Sequence, residues 1–230
     1  MVKSMPDRVR TDPRISVAKL GEYLTATPRR RRTIISDQKK PRDAIVIWYM
    51  EARRAVVECV LRNGDLAVLH AAIEQLDDDL QNARAETNDA ARASASIDAI
   101  DAFAQLVLDD LDLSADIERG EPHRAKLAIG RVNVSVSPDL VVKTKKGVGA
   151  VVFYLNKSNP LDETSGGYVA SLVHQYVEES LKHFGLADRR ACVVVDVMAG
   201  VSYVALVSDK SRRKDIAAAC QEIAAVWPTA

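Results

Sequence analysis

Residues 131–157 read RVNVSVSPDLVVKTKKGVGAVVFYLNK, and the division of this stretch decides the fold. Val132, Val134 and Val136 alternate with Arg131, Asn133 and Ser135, a period of two that puts the valines on one face of a strand. Leu140 to Lys145 and Gly149 to Lys157 are two further strand-like runs. Lys146-Gly147-Val148 separates them and reads as the reversal of a hairpin. With that loop, paired positions sum to about 294, so Asp139 faces Leu155 and Lys157 follows on the same face. A two-residue turn at Lys146-Gly147 slips the register by one and sets Asp139 opposite Tyr154.

Downstream, residues 165–185 carry Val169, Leu172, Val173, Tyr176 and Phe184 at helical spacing and stop at Gly185. Ala191 to Met198 and Val201 to Val207 are two more strands around Ala199-Gly200, and residues 209–226 form a closing helix. The order strand–strand–strand–helix–strand–strand–helix defines an α/β (α+β) unit with a mixed sheet and flanking helices.

Upstream the period is helical. Ser16 caps a short helix with Val17, Leu20 and Leu24 inward, and Thr27-Pro28 opens another that Pro41 stops. A third, from about Arg42 to Leu61, begins with Ile45, Val46, Ile47, Trp48 and Tyr49 and ends at Asn63-Gly64. Leu66, Leu69, Ile73, Leu76 and Leu80, then Ile97, Ile100, Phe103, Val107 and Leu111, mark a helical hairpin with acidic outer faces, closed by Gly120-Glu121-Pro122. Residues 1–14, with Pro6 and Pro13, read as a mobile lead-in. The chain thus divides into a basic helical region (1–64), an acidic helical hairpin (65–120) and an α/β domain (121–230).

The element order of the last third, with Pro138-Asp139 opening one strand and Lys157 ending the next, resembles the PD-(D/E)XK nuclease superfamily over roughly residues 115–207. The resemblance implies a restriction-endonuclease-like core in which Asp139 helps hold Mg²⁺ and Lys157 orients water or stabilises charge. Here the triplet reads Leu155-Asn156-Lys157, so the second carboxylate is missing and a hard cation is weakly held. Glu118, Glu121, Asp162 and Glu163 are candidates to replace it, although Asp162 and Glu163 equally suit the start of the following helix. Three expectations stand. One is a degenerate nuclease-like domain that binds nucleic acid or scaffolds a complex, without cutting and without a cofactor. Another is a working Mg²⁺-dependent nuclease with a relocated second acid. The third is a protein-interaction or regulatory subunit of a multi-protein complex, whose acidic hairpin meets a basic partner.

Charge bears on partners. The formal net charge of zero hides segregation: residues 1–43 hold 12 Lys and Arg against 5 Asp and Glu, and residues 44–122 hold 6 against 17. Arg29, Arg30, Arg31 and Arg32, with Lys39 and Lys40 near the other end of their helix, suit phosphates of DNA or RNA. They suit an acidic protein surface equally well, and the acidic hairpin, in this chain or a second copy, offers one. Stacking platforms for single strands are not evident, since only 5% of residues are aromatic. Ser165-Gly166-Gly167 precedes a helix and is a possible anion site without the Lys-Ser/Thr of a P-loop. His174-Gln175 reads as a satisfied polar pair beside the core.

No run approaches the roughly 18 apolar residues that span a bilayer, and no signal peptide is visible. Cys59, Cys192 and Cys220 sit apart in apolar runs, as buried thiols of a reducing compartment do. These features point to a soluble cytoplasmic protein with no membrane partner, as a homo-oligomer or a subunit of a complex.

Overall fold

The computed structural model describes residues 9–41, 48–82, 88–106, 116–119, 125–206 and 208–230. Arg14–Ser16 is a short strand (β1), and Ser16 then caps Val17–Thr25 (α1), its hydroxyl accepting the Lys19 N–H. Thr27 repeats the device for Pro28–Lys39 (α2), where proline's missing N–H at the first position costs nothing. Met50–Leu61 (α3) ends at Asn63 and Gly64, both left-handed with φ of 56° and 82°. Ala67–Asn82 (α4) and Asn88–Ala104 (α5) are the expected helical pair. The part of the third helix expected over 42–47 and the end of the hairpin over 107–115 lie outside the described residues.

The strands are Asp116–Arg119 (β2), Ala125–Ile129 (β3), Val132–Val136 (β4), Leu140–Thr144 (β5) and Gly147–Tyr154 (β6), followed after a helix by Ala187–Asp196 (β7) and Val201–Val204 (β8). That helix is Glu163–Ser180 (α6), and Lys210–Val226 (α7) precedes a 3-10 turn at Trp227–Thr229. Two sheets form, β1-β4-β3 and β2-β5-β6-β7-β8. In the larger one β2, β5 and β6 are antiparallel neighbours, α6 crosses over, and β7 returns parallel to β6. The alternating valines of 132–136 are therefore a strand but not part of the main sheet: they pair with β3 and, in parallel, with β1. Strand β1 begins at Arg14, the last residue of the lead-in expected to be mobile, and neither β2 nor β3 was read from sequence.

Helices cover both faces of the larger sheet. Val148, Ala150, Val152, Cys192 and Val194 share a core with α1, α2, α6, α7 and the small sheet. Val151, Phe153, Leu155, Val193 and Val195 face α3, α4 and α5. Phe153 meets Phe103 of α5 edge-on at 5.7 Å, a contact worth about 1 kcal/mol beyond its burial. The three segments expected as separate regions thus share two cores. Lys39 Nζ donates to the carbonyls of Trp227, Pro228 and Ala230, and Trp227 Nε1 donates to Arg10 O, which ties α2 and the residues before β1 to the 227–230 segment.

The hairpin register differs from the expected one, for a local reason. Thr144 Oγ1 accepts the N–H groups of Lys146 and Gly147, which closes a two-residue turn at Lys145-Lys146. Gly147 is in the ladder opposite Thr144, and it is glycine because a Cβ there would stand 2.0 Å from the Leu186 carbonyl oxygen. Leu140 pairs with Val151, so continuing one step sets Asp139 across from Val152, not Leu155. The displacement is odd, and an odd slip reverses faces. Leu155 accordingly turns into the core beneath α3 and α5.

Candidate functional site

Asp139 precedes β5 and is 9% exposed. Its Oδ2 accepts the Phe153 N–H at 2.8 Å, and Arg53 Nη1 reaches Oδ1 and Oδ2 at 2.7 and 2.6 Å. Arg53 Nη2 donates to the Phe153 carbonyl at 2.9 Å. The guanidinium from α3 is thereby tied to both neighbouring strands, while its side chain remains 41% exposed. A buried carboxylate demands a partner of this kind, because an unpaired charge out of water costs several kcal/mol.

Around this pair lies a groove of about 680 Å³, walled by α3, β1, the start of α1 and the β4–β5 connection. Arg10, Arg14, Arg53, Arg54 and Arg119 all line it. Arg14 Nε donates to Ser135 Oγ of β4, and Arg10 Nη1 donates to the Gln38 carbonyl of α2. Arg119 closes β2 opposite Leu140, one residue from Asp139, and pairs with Glu58 at 2.8 Å. Arg54 pairs with Glu51 at 3.1 Å. Glu51, Glu58 and Asp139 thus pair with Arg54, Arg119 and Arg53, and Glu58 is shared with Arg62. Among the described residues no aromatic side chain lines the groove; its apolar part is Val17, Ala18, Met50, Val57, Pro138 and Val152. Such a lining suits phosphate oxygens more than aromatic stacking of bases.

Lys157 does not join Asp139. It follows the end of β6 with its side chain 68% exposed, and its Nζ lies 2.9 Å from Asp98 Oδ2 on α5. Of the acids considered as replacements, Glu118 and Asp162 are engaged elsewhere. Glu118 pairs with Lys143, Asp162 caps α6 in a capping box with Ser165, and Glu163 sits in that helix's first turn; Glu121 lies outside the described residues. Hydrogen bonds from Ser165 hold the Asp162 carboxyl below its ordinary pKa. The same carboxylate occupies the helix start at Ser165-Gly166-Gly167, so that expected anion site is filled from within. Among the described residues no three His, Cys, Asp or Glu side chains assemble to hold a metal. Mg²⁺ does not fit at Asp139 as placed: both oxygens face Arg53, and Leu155 points into the core.

The basic run of α2 divides in two. Arg30 bonds Glu22 at 2.7 Å, and Arg31 donates to the carbonyls of Tyr23 and Leu24 while pairing with Glu222 of α7. These contacts fasten α2 to α1 and α7, and the three made by Lys39 fasten it to residues 227–230, so within the chain the described acidic partners of Arg30 and Arg31 are Glu22 and Glu222. Arg29, Arg32 and Lys40 are exposed. Arg29 and Arg32 share one face of the helix three residues apart, and Lys40 follows at its C-terminal cap. Arg10, Arg14, Arg53, Arg54 and Arg119 were not singled out from sequence, because two lay in the lead-in, two in a core-like helix and one in an unassigned strand. The adjacent Arg53-Arg54 on an otherwise apolar helix was the available signal.

A second ionic cluster sits between α6 and α7. Arg213 bonds Asp209 at 2.8 Å, Glu178 at 2.6 Å and His174 Nδ1 at 3.0 Å, and Ser171 donates to Asp209. Arg189 of β7 stands 3.6 Å from Asp209. Since arginine only donates, His174 Nδ1 accepts, which leaves the imidazole proton on Nε2, facing Glu178 at 3.5 Å. Burial, the largest influence, lowers the His174 pKa, with Arg189 and Arg213 acting the same way against Glu178 and Asp209. The three cysteines are buried and free, and burial pushes Cys192 and Cys220 up to about 12. No helix among the described residues is long and apolar enough to cross a membrane.

With this geometry established, comparison with known protein families, with curated proteins and with solved structures finds no match to any of them.

Proposed function

We propose that this protein binds nucleic acid through its phosphate backbone, in the arginine-lined groove, and does not cut it. The observation that carries the reading is the convergence of five arginines on one groove whose buried carboxylate is already neutralised. Its element order, β2-β5-β6, then α6, then β7 parallel to β6, supports the resemblance to a PD-(D/E)XK domain, here in degenerate form. Exposed Arg29 and Arg32 on α2, with Lys40 at its C-terminal cap, add positive charge outside the groove. Binding of this type ignores base sequence and weakens steeply with salt, as condensed counterions are released.

The test is a titration of labelled mixed-sequence duplex DNA, single-stranded DNA and RNA at two salt concentrations, wild type against Arg14→Ala/Arg54→Ala/Arg119→Ala. The expected result for duplex DNA is weaker binding and a salt slope reduced by about 0.9 per lost contact, so by about 2 to 3. Identical curves for the two proteins on every nucleic acid would remove the groove from the function. Loss of a protein complex without loss of nucleic-acid affinity would make the protein an interaction subunit instead. Incubation with plasmid in Mg²⁺ or Mn²⁺ is expected to leave it intact, and cleavage lost in Asp139→Ala would restore the nuclease reading.

A further inference from the structure

The arrangement at Asp139 has the opposite sense to a metal site. A divalent cation needs carboxylate oxygens that face open space, and here both oxygens of Asp139 accept from a resident guanidinium. Arginine brings five N–H donors in a rigid planar fork. Asp139 and the Phe153 carbonyl account for three hydrogen bonds at Nη1 and Nη2, which leaves Nε–H and one Nη2–H for another acceptor. Those remaining hydrogens belong to a side chain that is 41% exposed on a groove with four further arginines. A guanidinium fixed on one edge and open on the other is prepared for a phosphate, since little rotamer freedom is left to lose on binding.

We infer that Arg53 is a phosphate-contacting residue that does the work of a divalent cation at this end of the sheet, with Asp139 as its positioning residue. The ligand is a phosphodiester of the nucleic-acid backbone, so the inference rests on the reading given above and adds the residue, its support and its independence of metal. The sign at Asp139 separates positioning from simple charge. Removing a negative charge from a groove strengthens anion binding if Asp139 acts through its field alone. It weakens binding if Asp139 acts by orienting Arg53.

The experiment titrates a labelled duplex of about 30 base pairs, long enough to cover any single groove. The full chain is compared with Arg53→Ala, Arg53→Lys and Asp139→Asn, in EDTA and in Mg²⁺ at matched ionic strength, with thermal unfolding of each variant recorded alongside. Wild type is expected to bind equally in both buffers. Arg53→Ala is expected to lose about tenfold in affinity, and Arg53→Lys nearly as much, because a lysine keeps the charge but not the fork. Asp139→Asn is expected to lose about threefold, with the salt slope unchanged, because the phosphate contacts remain but one is poorly aimed. Because Arg53→Lys preserves net charge, a folded lysine variant that binds as wild type does would overturn the assignment even if Arg53→Ala unfolds. A wild type that requires Mg²⁺, or an Asp139→Asn protein that binds more tightly, would also overturn it. If the Arg14/Arg54/Arg119 variant loses binding while these three do not, the groove reading stands and only this inference fails.

Discussion

Two buried aspartates, Asp139 and Asp209, are each held by an arginine, and the surroundings give the two pairs different work. Asp209 and Arg213 lie between α6 and α7 with His174, Glu178 and Ser171 filling the remaining positions, so every charge there is answered from within. Asp139 and Arg53 lie at the end of β5 and β6, on an open groove with four more arginines. The chemistry of each pair is the same hydrogen-bonded ion pair. What differs is whether the guanidinium has an edge left over. In the first case it staples two helices, and in the second it remains available to a ligand.

The largest effect is expected where a third carboxylate is introduced with no arginine to meet it. Leu155→Glu restores the acid of the resembled motif but places it in the core with Phe153 and Val195, where an unpaired charge costs about 4 kcal/mol or more. Urea unfolding should show this loss, and no nuclease activity should appear; a stable, cutting variant would mean that Leu155 faces the groove.

Next come the arginines themselves. Arg213→Ala leaves Asp209, 5% exposed, without its main partner and should cost about 3 kcal/mol. Arg53→Ala should cost less, about 1.5 kcal/mol, because groove water and the Phe153 N–H still serve Asp139. Equal losses in thermal unfolding would erase the distinction between a sealed pair and an open one.

A smaller effect is expected from pH. His174 is neutral in the folded protein and its pKa is lowered from 6.5, so below that value the unfolded chain binds more protons than the folded one. The stability that follows is complete above about pH 6.5 and is lost as pH falls through the lowered folded value. His174→Gln should flatten the unfolding free energy between pH 7 and about pH 5. Burial raises the Asp209 pKa, but Arg213 and Arg189 bring it below the ordinary carboxylate value, so its titration lies below that window. Least of all, Lys157→Ala should change neither the melting temperature nor nucleic-acid affinity, since an exposed pair with Asp98 stabilises little.

Much of the architecture was legible because periodicity and capping are local. Ser16, Thr27-Pro28, Asn63-Gly64 and the runs of β6, α6, β7 and α7 gave their elements within a few residues. The short strands β1, β2 and β3 were not legible, since three to five residues carry too little pattern and exist only because a partner strand is present. The register of the hairpin failed on one residue: Gly147 looked like a turn glycine, and the reason for it lies on Leu186, distant in sequence. The same limit governs the site. Asp139 was noticed by its Pro-Asp context, but the residue that gives it meaning, Arg53, comes 86 residues earlier on a helix whose packing no local pattern discloses.

The clasp between Lys39 and the carbonyls of residues 227–230 has a consequence for how the chain is made. Strand β1 finds its partner β4 only after residue 135 exists, and Lys39 must wait for a carbonyl 188 residues later. At roughly 5 to 20 residues per second on a ribosome, that interval is about 10 to 40 s. Through it, residues 9–40, with Leu20, Ile34 and Ile35 still uncovered and the arginines of α2 beside them, remain an apolar and basic segment without its partners. The segment is made well before the partners that fasten it, so its safety during synthesis depends on kinetics that the finished protein no longer displays.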